Sequence, residues 1–353
     1  MESAYEILAR AQTRAPFPMT ATLELTRRCN ARCAHCYLEL DGHPGPEFAT
    51  VERVLRELGQ AGTLMLVLTG GEITLRPDWL DIVRVAHTLG FATTIKTNGL
   101  LWSAAAVSAI ADIGVLSVDV SLHGARREAH DAVTNLPGSF DGAMATVKRL
   151  REAGVTVTFV HPALKREDGQ AEGVSRLATE LGCRLVLGSR VVGTMDGRCS
   201  NRSLWPDEDC IEALYRVAHA RGATNVAPDF DSSNDAAWPC LSDDAALSIQ
   251  ADGEIRRCVL LRRALGTVYG GPVPETWRLS RARAALREEA ASWPSACKLC
   301  QFRATCRRCP AAALAEHGSL DAPATVDCSA ARARALLARA RPVGRGEVSS
   351  GRP

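Results

Sequence analysis

Between residues 20 and 188 the chain alternates two rhythms. TATLELT (20–26), LMLVLT (64–69), FATTIKT (91–97), VLSVDVS (115–121), VTVTFV (155–160) and CRLVLG (183–188) are short runs rich in apolar and β-branched residues, the composition of strands. TVERVLRELGQAG (50–62), PDWLDIVRVAHTLG (77–90), SAAAVSAIADIG (103–114), SFDGAMATVKRLREAG (139–154) and AEGVSRLATELG (171–182) carry apolar residues at helical spacing. Such alternation implies parallel strands joined by right-handed helical crossovers. Eight units would close a full barrel; six predict an α/β partial (β/α)6 TIM-like barrel.

After residue 188 the rhythm stops. A helix candidate, DEDCIEALYRVAHARG (207–222), intervenes, and seven of the thirteen cysteines then fall between 240 and 328. This change predicts an extension at 1–19, the barrel at 20–205, a second domain at 206–340 and a disordered tail at 341–353. With 353 residues and 46% hydrophobic content the chain can fill a large core and a smaller one.

The first twenty residues carry Glu2 and Glu6 and no apolar stretch suited to a signal peptide, and no later run approaches a membrane span. A cytoplasmic location is expected, where cysteine clusters hold metal or do chemistry more often than they form disulfides. The net charge is +2, and only Lys96, Lys148, Lys165 and Lys298 are lysines, leaving 38 of the 42 basic residues as arginine. The arginines are interspersed with acids, so no basic stripe argues for nucleic acid.

In parallel barrels chemistry sits at the C-terminal ends of the strands. Four unusual segments follow the first four predicted strands: RRCNARCAHCY (27–37) with Cys29, Cys33 and Cys36; Gly70-Gly71-Glu72; Thr97-Asn98-Gly99; and Ser121 to Gly124. Each alone is unremarkable, since GGE after a strand is ordinarily a turn. Their common position is the signal. Three cysteines leave two readings open, a zinc loop completed by His35 or His43, and an iron–sulfur cluster with one iron lacking a protein ligand.

The spacing C-x3-C-x2-C, with His35 before the third cysteine, resembles the signature of the radical S-adenosylmethionine (radical SAM) enzymes. The resemblance implies that Cys29, Cys33 and Cys36 hold a 4Fe-4S cluster whose open iron is chelated by S-adenosylmethionine. It implies further that the backbone near Tyr37 approaches the adenine, that Gly70, Gly71 and Glu72 receive the methionine amino group, and that Ser121 contacts the ribose, with Asn98 a weaker candidate. Reduction by a one-electron donor such as flavodoxin or ferredoxin would then cleave S-adenosylmethionine to a 5′-deoxyadenosyl radical that abstracts hydrogen from substrate. His130 and Asp131 lie in a stretch similar to the peptide-modifying branch but are read as helix-capping residues without a catalytic role.

Toward the C-terminus, GEIRRC (253–258) is Gly-x4-Cys and CKLCQFRATCRRC (297–309) holds two CxxC pairs. In isolation these pairs suit zinc. The full order resembles the SPASM extension of radical SAM enzymes, which carries auxiliary iron–sulfur clusters. That resemblance implies an outer cluster on Cys297, Cys300, Cys306 and Cys328 and an inner one on Cys240, Cys258 and Cys309, so one or two auxiliary clusters. Two departures stand out: only two residues separate Cys306 from Cys309, and the inner set lacks a fourth ligand, for which Asp243, Asp244, Cys199 and Cys210 are stand-ins. Cys183 is expected to be a buried apolar residue.

Most SPASM-bearing relatives modify peptides or proteins, which implies an oxidative peptide maturase making a crosslink or thioether. With about 20 residues before the first strand, leader-peptide recognition is expected from a separate partner protein. Competing readings are a sulfatase-maturase-like enzyme using a base from Asp229, Asp231 or Asp235, a small-molecule or carbohydrate dehydrogenase, and a zinc-binding interaction protein.

Overall fold

The computed structural model describes residues 17–165, 169–191, 193–194, 199–221, 245–289 and 293–339. Cys240, the acids at 229, 231, 235, 243 and 244, and the predicted tail lie outside the described residues, as does most of the N-terminal extension.

Six strands run in the predicted order: β1 (Thr20–Glu24), β2 (Met65–Thr69), β3 (Ala92–Thr97), β4 (Ser117–Ser121), β5 (Val157–Pro162) and β6 (Arg184–Gly188). Each pairs in parallel with the next. The crossovers contain α1 (Phe48–Gln60), α2 (Trp79–Thr88), α3 (Ala104–Ile113), a pair formed by α4 (Arg127–Thr134) and α5 (Ser139–Glu152), and α6 (Gln170–Glu180). The helices follow from their spacing: α1 buries Val51, Val54, Leu55 and Leu58, a single stripe turned to the sheet. Asp131, within the short α4, accepts from the Gly138 and Phe140 amides and the Ser139 hydroxyl, so it caps α5 as its sequence context suggested.

The sheet does not end where the rhythm ends. Strand β7 (Ala246–Ile249) adds in parallel to the free side of β1, and β8 (Glu254–Arg256) and β9 (Ala264–Thr267) continue antiparallel, giving the order β6-β5-β4-β3-β2-β1-β7-β8-β9. Leu247, Ile249, Ile255, Leu265 and Trp277 share one core cluster with barrel residues such as Leu23, Leu68, Ile95, Val120 and Phe159. Arg27 ties the junction, bonding Asp41 and, across 225 residues of sequence, Asp252. A smaller cluster of Ile211, Ala312, Ala313, Val326 and Ala330 joins α7 (Glu208–Ala220), α11 (Pro310–His317) and α12 (Thr325–Arg339). Between them come α8 (Val273–Leu279), α9 (Arg281–Glu289) and α10 (Ser295–Lys298). Among the described residues no helix is long and apolar enough to cross a membrane.

Strand alternation explains the site. Ala21, Leu23, Leu66, Leu68, Ile95, Val118 and Val120 point to the helices and are buried. The opposite face carries Thr22, Thr69, Lys96, Ser117, Asp119 and Ser121, as the period of two requires. A sheet covered by apolar layers on both sides would show continuous hydrophobic strands. Here one face is polar because it lines the open inside of the barrel.

Candidate active site

A cavity of about 410 Å³ opens at the C-terminal ends of β1 to β4, within the roughly 300–1,000 Å³ typical of small-molecule sites. Its walls include Cys29, Cys33, Cys36, Tyr37, Gly70, Gly71, Asn98 and Ser121. Eight residues singled out along 93 positions of sequence thus meet at one place.

The cysteine loop is anchored against the β2 tip through backbone. The Gly71 amide donates to the Thr26 carbonyl at 2.7 Å and the Glu72 amide to the Arg28 carbonyl at 2.8 Å. Gly70 has φ +148°, and a Cβ there would stand 2.4 Å from the Thr26 carbonyl oxygen; one on Gly71 would stand 2.2 Å from that of Arg28. Only glycine admits this approach. Asn98 holds the other side, its Nδ2 donating to Asn30 Oδ1 at 2.7 Å and lying 3.9 Å from Cys29 Sγ.

Glu72 is placed differently from the two glycines before it. It is fully buried and is not among the residues lining the cavity. Its carboxylate accepts from the Thr74 amide and hydroxyl, from the Thr97 hydroxyl at 2.8 and 2.9 Å, and from the Asn98 amide at 2.7 Å. Burial raises its pKa, and these donors act against that rise. The carboxylate stitches the tip of β2 to that of β3.

Lys96, His35, His123 and Val259 are also among the wall residues. Lys96 escaped the sequence reading, although a lysine inside an apolar strand, in a chain with four, was a usable signal. It donates to Asp119 Oδ2 at 3.2 Å, directly opposite it in the β3–β4 register. Val259 follows Cys258 and brings the β8–β9 connection to the cavity. His35 meets His123 edge to face at the wall, ring centroids 4.4 Å apart, and His123 stacks on His130 behind it at 5.3 Å. Burial holds His35 and His130 down to about 4, with like charge on neighbouring imidazoles adding to the effect. His43 is not a wall residue: its carbonyl accepts from Thr26 Oγ1 and the Arg27 amide.

The residues fit a cluster better than a lone ion. Burial, together with the charges of Cys36 and Cys29, pushes the Cys33 thiol up to about 12, so three thiolates there demand a polycation. No group of three or more His, Cys, Asp or Glu side chains among the described residues is gathered as one metal ion requires.

In the C-terminal part Cys297 stands within electrostatic reach of Cys300, Cys306 and Cys328, and Cys328 of Cys300 and Cys306. Burial first, then neighbouring thiolates, raises Cys297 and Cys328; burial and Asp327 push Cys306 up to about 12, with Cys328 and Cys297 contributing. Cys309 is half-buried, and its amide donates to Asp327 at 2.6 Å. Cys258 is half-buried against the main core. Cys183 is buried, as expected, and Cys199 Sγ lies 3.6 Å from the Ala315 carbonyl oxygen.

The chain is similar to the AdoMet-dependent heme synthase of Nitratidesulfovibrio vulgaris, 24% identical over 82% of this chain and 86% of that protein. It is similar also to the PqqA peptide cyclase of Ruegeria pomeroyi, 28% identical over 69% of this chain and 68% of that one. Among solved structures, Streptococcus suis SuiB bound to precursor peptide SuiA superposes with a TM-score of 0.71, covering 93% of this chain and 82% of SuiB at 16% identity, a likeness of fold. Residues 23–177 match the Radical SAM superfamily, a segment that runs from inside β1 to inside α6 and supplies every wall of the cavity except Thr22 and Val259. On that match and that cavity, residues 23–177 are a radical SAM domain, and the chain is an enzyme with the cofactors of that family, a 4Fe-4S cluster and S-adenosylmethionine.

Proposed function

We propose that this enzyme oxidatively modifies a peptide or protein, forming a crosslink or thioether in a ribosomally made peptide. When bound, the barrel cluster supplies the electron that cleaves S-adenosylmethionine to methionine and a 5′-deoxyadenosyl radical, the species that takes hydrogen from the substrate. Every role below belongs to the chain itself. Cys29, Cys33 and Cys36 hold the cluster; the backbone at Gly70 and Gly71 meets the methionine amino group; Tyr37 and Ser121 face the nucleoside. Glu72 is a positioning residue that fixes the Gly-Gly turn and Asn98 without touching the ligand. Cys297, Cys300, Cys306 and Cys328 hold an outer auxiliary cluster, and Cys258 and Cys309, with Cys240, an inner one. A separate leader-recognition protein, a flavodoxin- or ferredoxin-type donor and a cytoplasmic location complete the reading.

The observation that carries the radical chemistry is the convergence of the cysteine loop, the Gly-Gly turn, Asn98 and Ser121 on one cavity. The peptide substrate is supported by the likeness to a peptide cyclase and to a peptide-bound fold neighbour. The heme-synthase likeness, over 82% of the chain, favours a second reading, a small-molecule substrate. Reduced enzyme given S-adenosylmethionine is expected to release 5′-deoxyadenosine, and Cys33→Ala to abolish it; full cleavage by the variant overturns the assignment. Mass spectrometry of short peptides encoded beside the gene then decides the substrate. Loss of two hydrogen masses in one peptide is the expected result, and unaltered peptides with turnover of a small molecule would select the second reading.

A further inference from the structure

A second cavity, about 800 Å³, lies on the same polar face of the sheet, against β4, β5, β6 and α7. Arg184, Arg190, Arg221, Arg307 and Arg334 line it, and among the described residues its one carboxylate is Asp119. Two of these charges are spent. Asp119 pairs with Lys96, and Arg190 pairs with Asp327 at 2.7 Å. Arg221 donates to the Ser175 carbonyl and hydroxyl and to Thr179 Oγ1, all uncharged.

The decisive residue is Arg334. It is 3% exposed, and its Nε and Nη2 reach no acceptor among the described residues; Arg307 Nε is likewise buried without one. The Tyr215 ring lies 5.5 Å from the Arg334 guanidinium carbon. A buried cation with unspent donors is costly, and the group that best discharges a planar guanidinium is a carboxylate, which accepts two parallel hydrogen bonds. Cys306 stands within electrostatic reach of Arg334, so a thiolate-bound cluster would offset part of that charge. Arg184 and Arg221 belong to β6 and the end of α7, away from the cysteine segment in sequence, and make the cavity cationic beyond that need.

The two cavities adjoin. Asp119 walls the arginine cavity and Ser121, two residues on along the same strand face, walls the cofactor cavity; that spacing is about 7 Å. We propose that the arginine cavity receives acidic side chains of the substrate, setting the neighbouring substrate residue at the cofactor cavity. The proposal rests on the peptide reading above and adds a substrate class to it.

Calorimetric titration of the holoenzyme, anaerobic and with S-adenosylmethionine bound, tests it with hexaglutamate, hexaglutamine and the small tricarboxylate tricarballylate. Hexaglutamate is expected to bind, weakening as salt is raised, and hexaglutamine to bind at least about a hundredfold more weakly. Arg184→Gln, on an exposed residue, and Arg334→Gln are each expected to lower hexaglutamate affinity about tenfold or more, with Arg334→Lys recovering part of it. Tricarballylate matching hexaglutamate would assign the carboxylate site to a small molecule; hexaglutamate alone would assign it to a peptide. Equal binding of the glutamate and glutamine peptides overturns the proposal, as does unchanged affinity in Arg184→Gln. Loss of iron in Arg334→Gln would give that residue to the cysteine cluster, and Arg184→Gln then decides alone. Because binding needs no turnover, an enzyme that binds hexaglutamate yet forms no 5′-deoxyadenosine would sink the radical reading and leave this site standing.

Discussion

At the scale of single residues, burial decides which polar groups serve the site and which serve the frame. Glu72 sits in a motif read as ligand-binding, yet its carboxylate is consumed by Thr74, Thr97 and the Asn98 amide. His130 is a comparable case behind the cavity, its Nδ1 accepting from the His123 amide at 3.1 Å, which requires the neutral ring. Its folded pKa of about 4 lies below the ordinary 6.5, so between these values the unfolded chain binds the extra proton. Stability is therefore complete above pH 6.5 and is lost as the pH falls toward 4. Urea unfolding of the apoprotein is expected to show a loss of about 2 kcal/mol from this residue by pH 5. His130→Asn, which keeps an acceptor and does not titrate, should remove about that much of the acid loss and leave the part due to His35 and His123; an equally steep profile would show that His130 does not contribute. None of this was legible beforehand, because the desolvation of His130 depends on His123 and Phe140 packing against it.

Among the elements, the six parallel strands and their helices were readable because each is coded by a local period, and the observed strands fall within the predicted runs or within two residues of them. Strand β7 was not. Ala246–Ile249 is four residues long and becomes a strand by pairing with β1, more than 200 positions earlier. The Glu24 carboxylate, at the end of β1, accepts from the Ala251 amide at 2.8 Å and locks the pairing. A fragment ending at Arg221, beyond the boundary expected from composition, would bare the β1 edge and strip Leu247, Ile249, Ile255 and Trp277 from the core. We expect it to aggregate or to melt well below the full chain in a thermal scan. Cooperative unfolding at the full-length temperature would establish the barrel as a self-sufficient domain.

For the whole molecule, the sheet connects the cavity at the cysteine loop with the cysteine-rich C-terminal segment. The cofactor cavity touches the β8–β9 connection at Val259, and the arginine cavity runs from Asp119 on β4 to Arg307 between two cysteines. Substrate held there would lie between the radical source and the auxiliary cysteines. Anaerobically purified enzyme is expected to carry at least about eight irons per chain, about twelve if the inner set also binds a cluster, and Cys300→Ser to lose about four. A count of about four in the unaltered enzyme would overturn the C-terminal assignment.

By itself the sequence determined the order of strands, the cysteine triad and the four strand-end segments, since period and spacing are properties of neighbours along the chain. Only the tertiary structure decided that Glu72 faces inward, that β7 extends the barrel sheet, and that five scattered arginines line one cavity. Those outcomes depend on desolvation and on pairing between segments far apart, which no local pattern encodes.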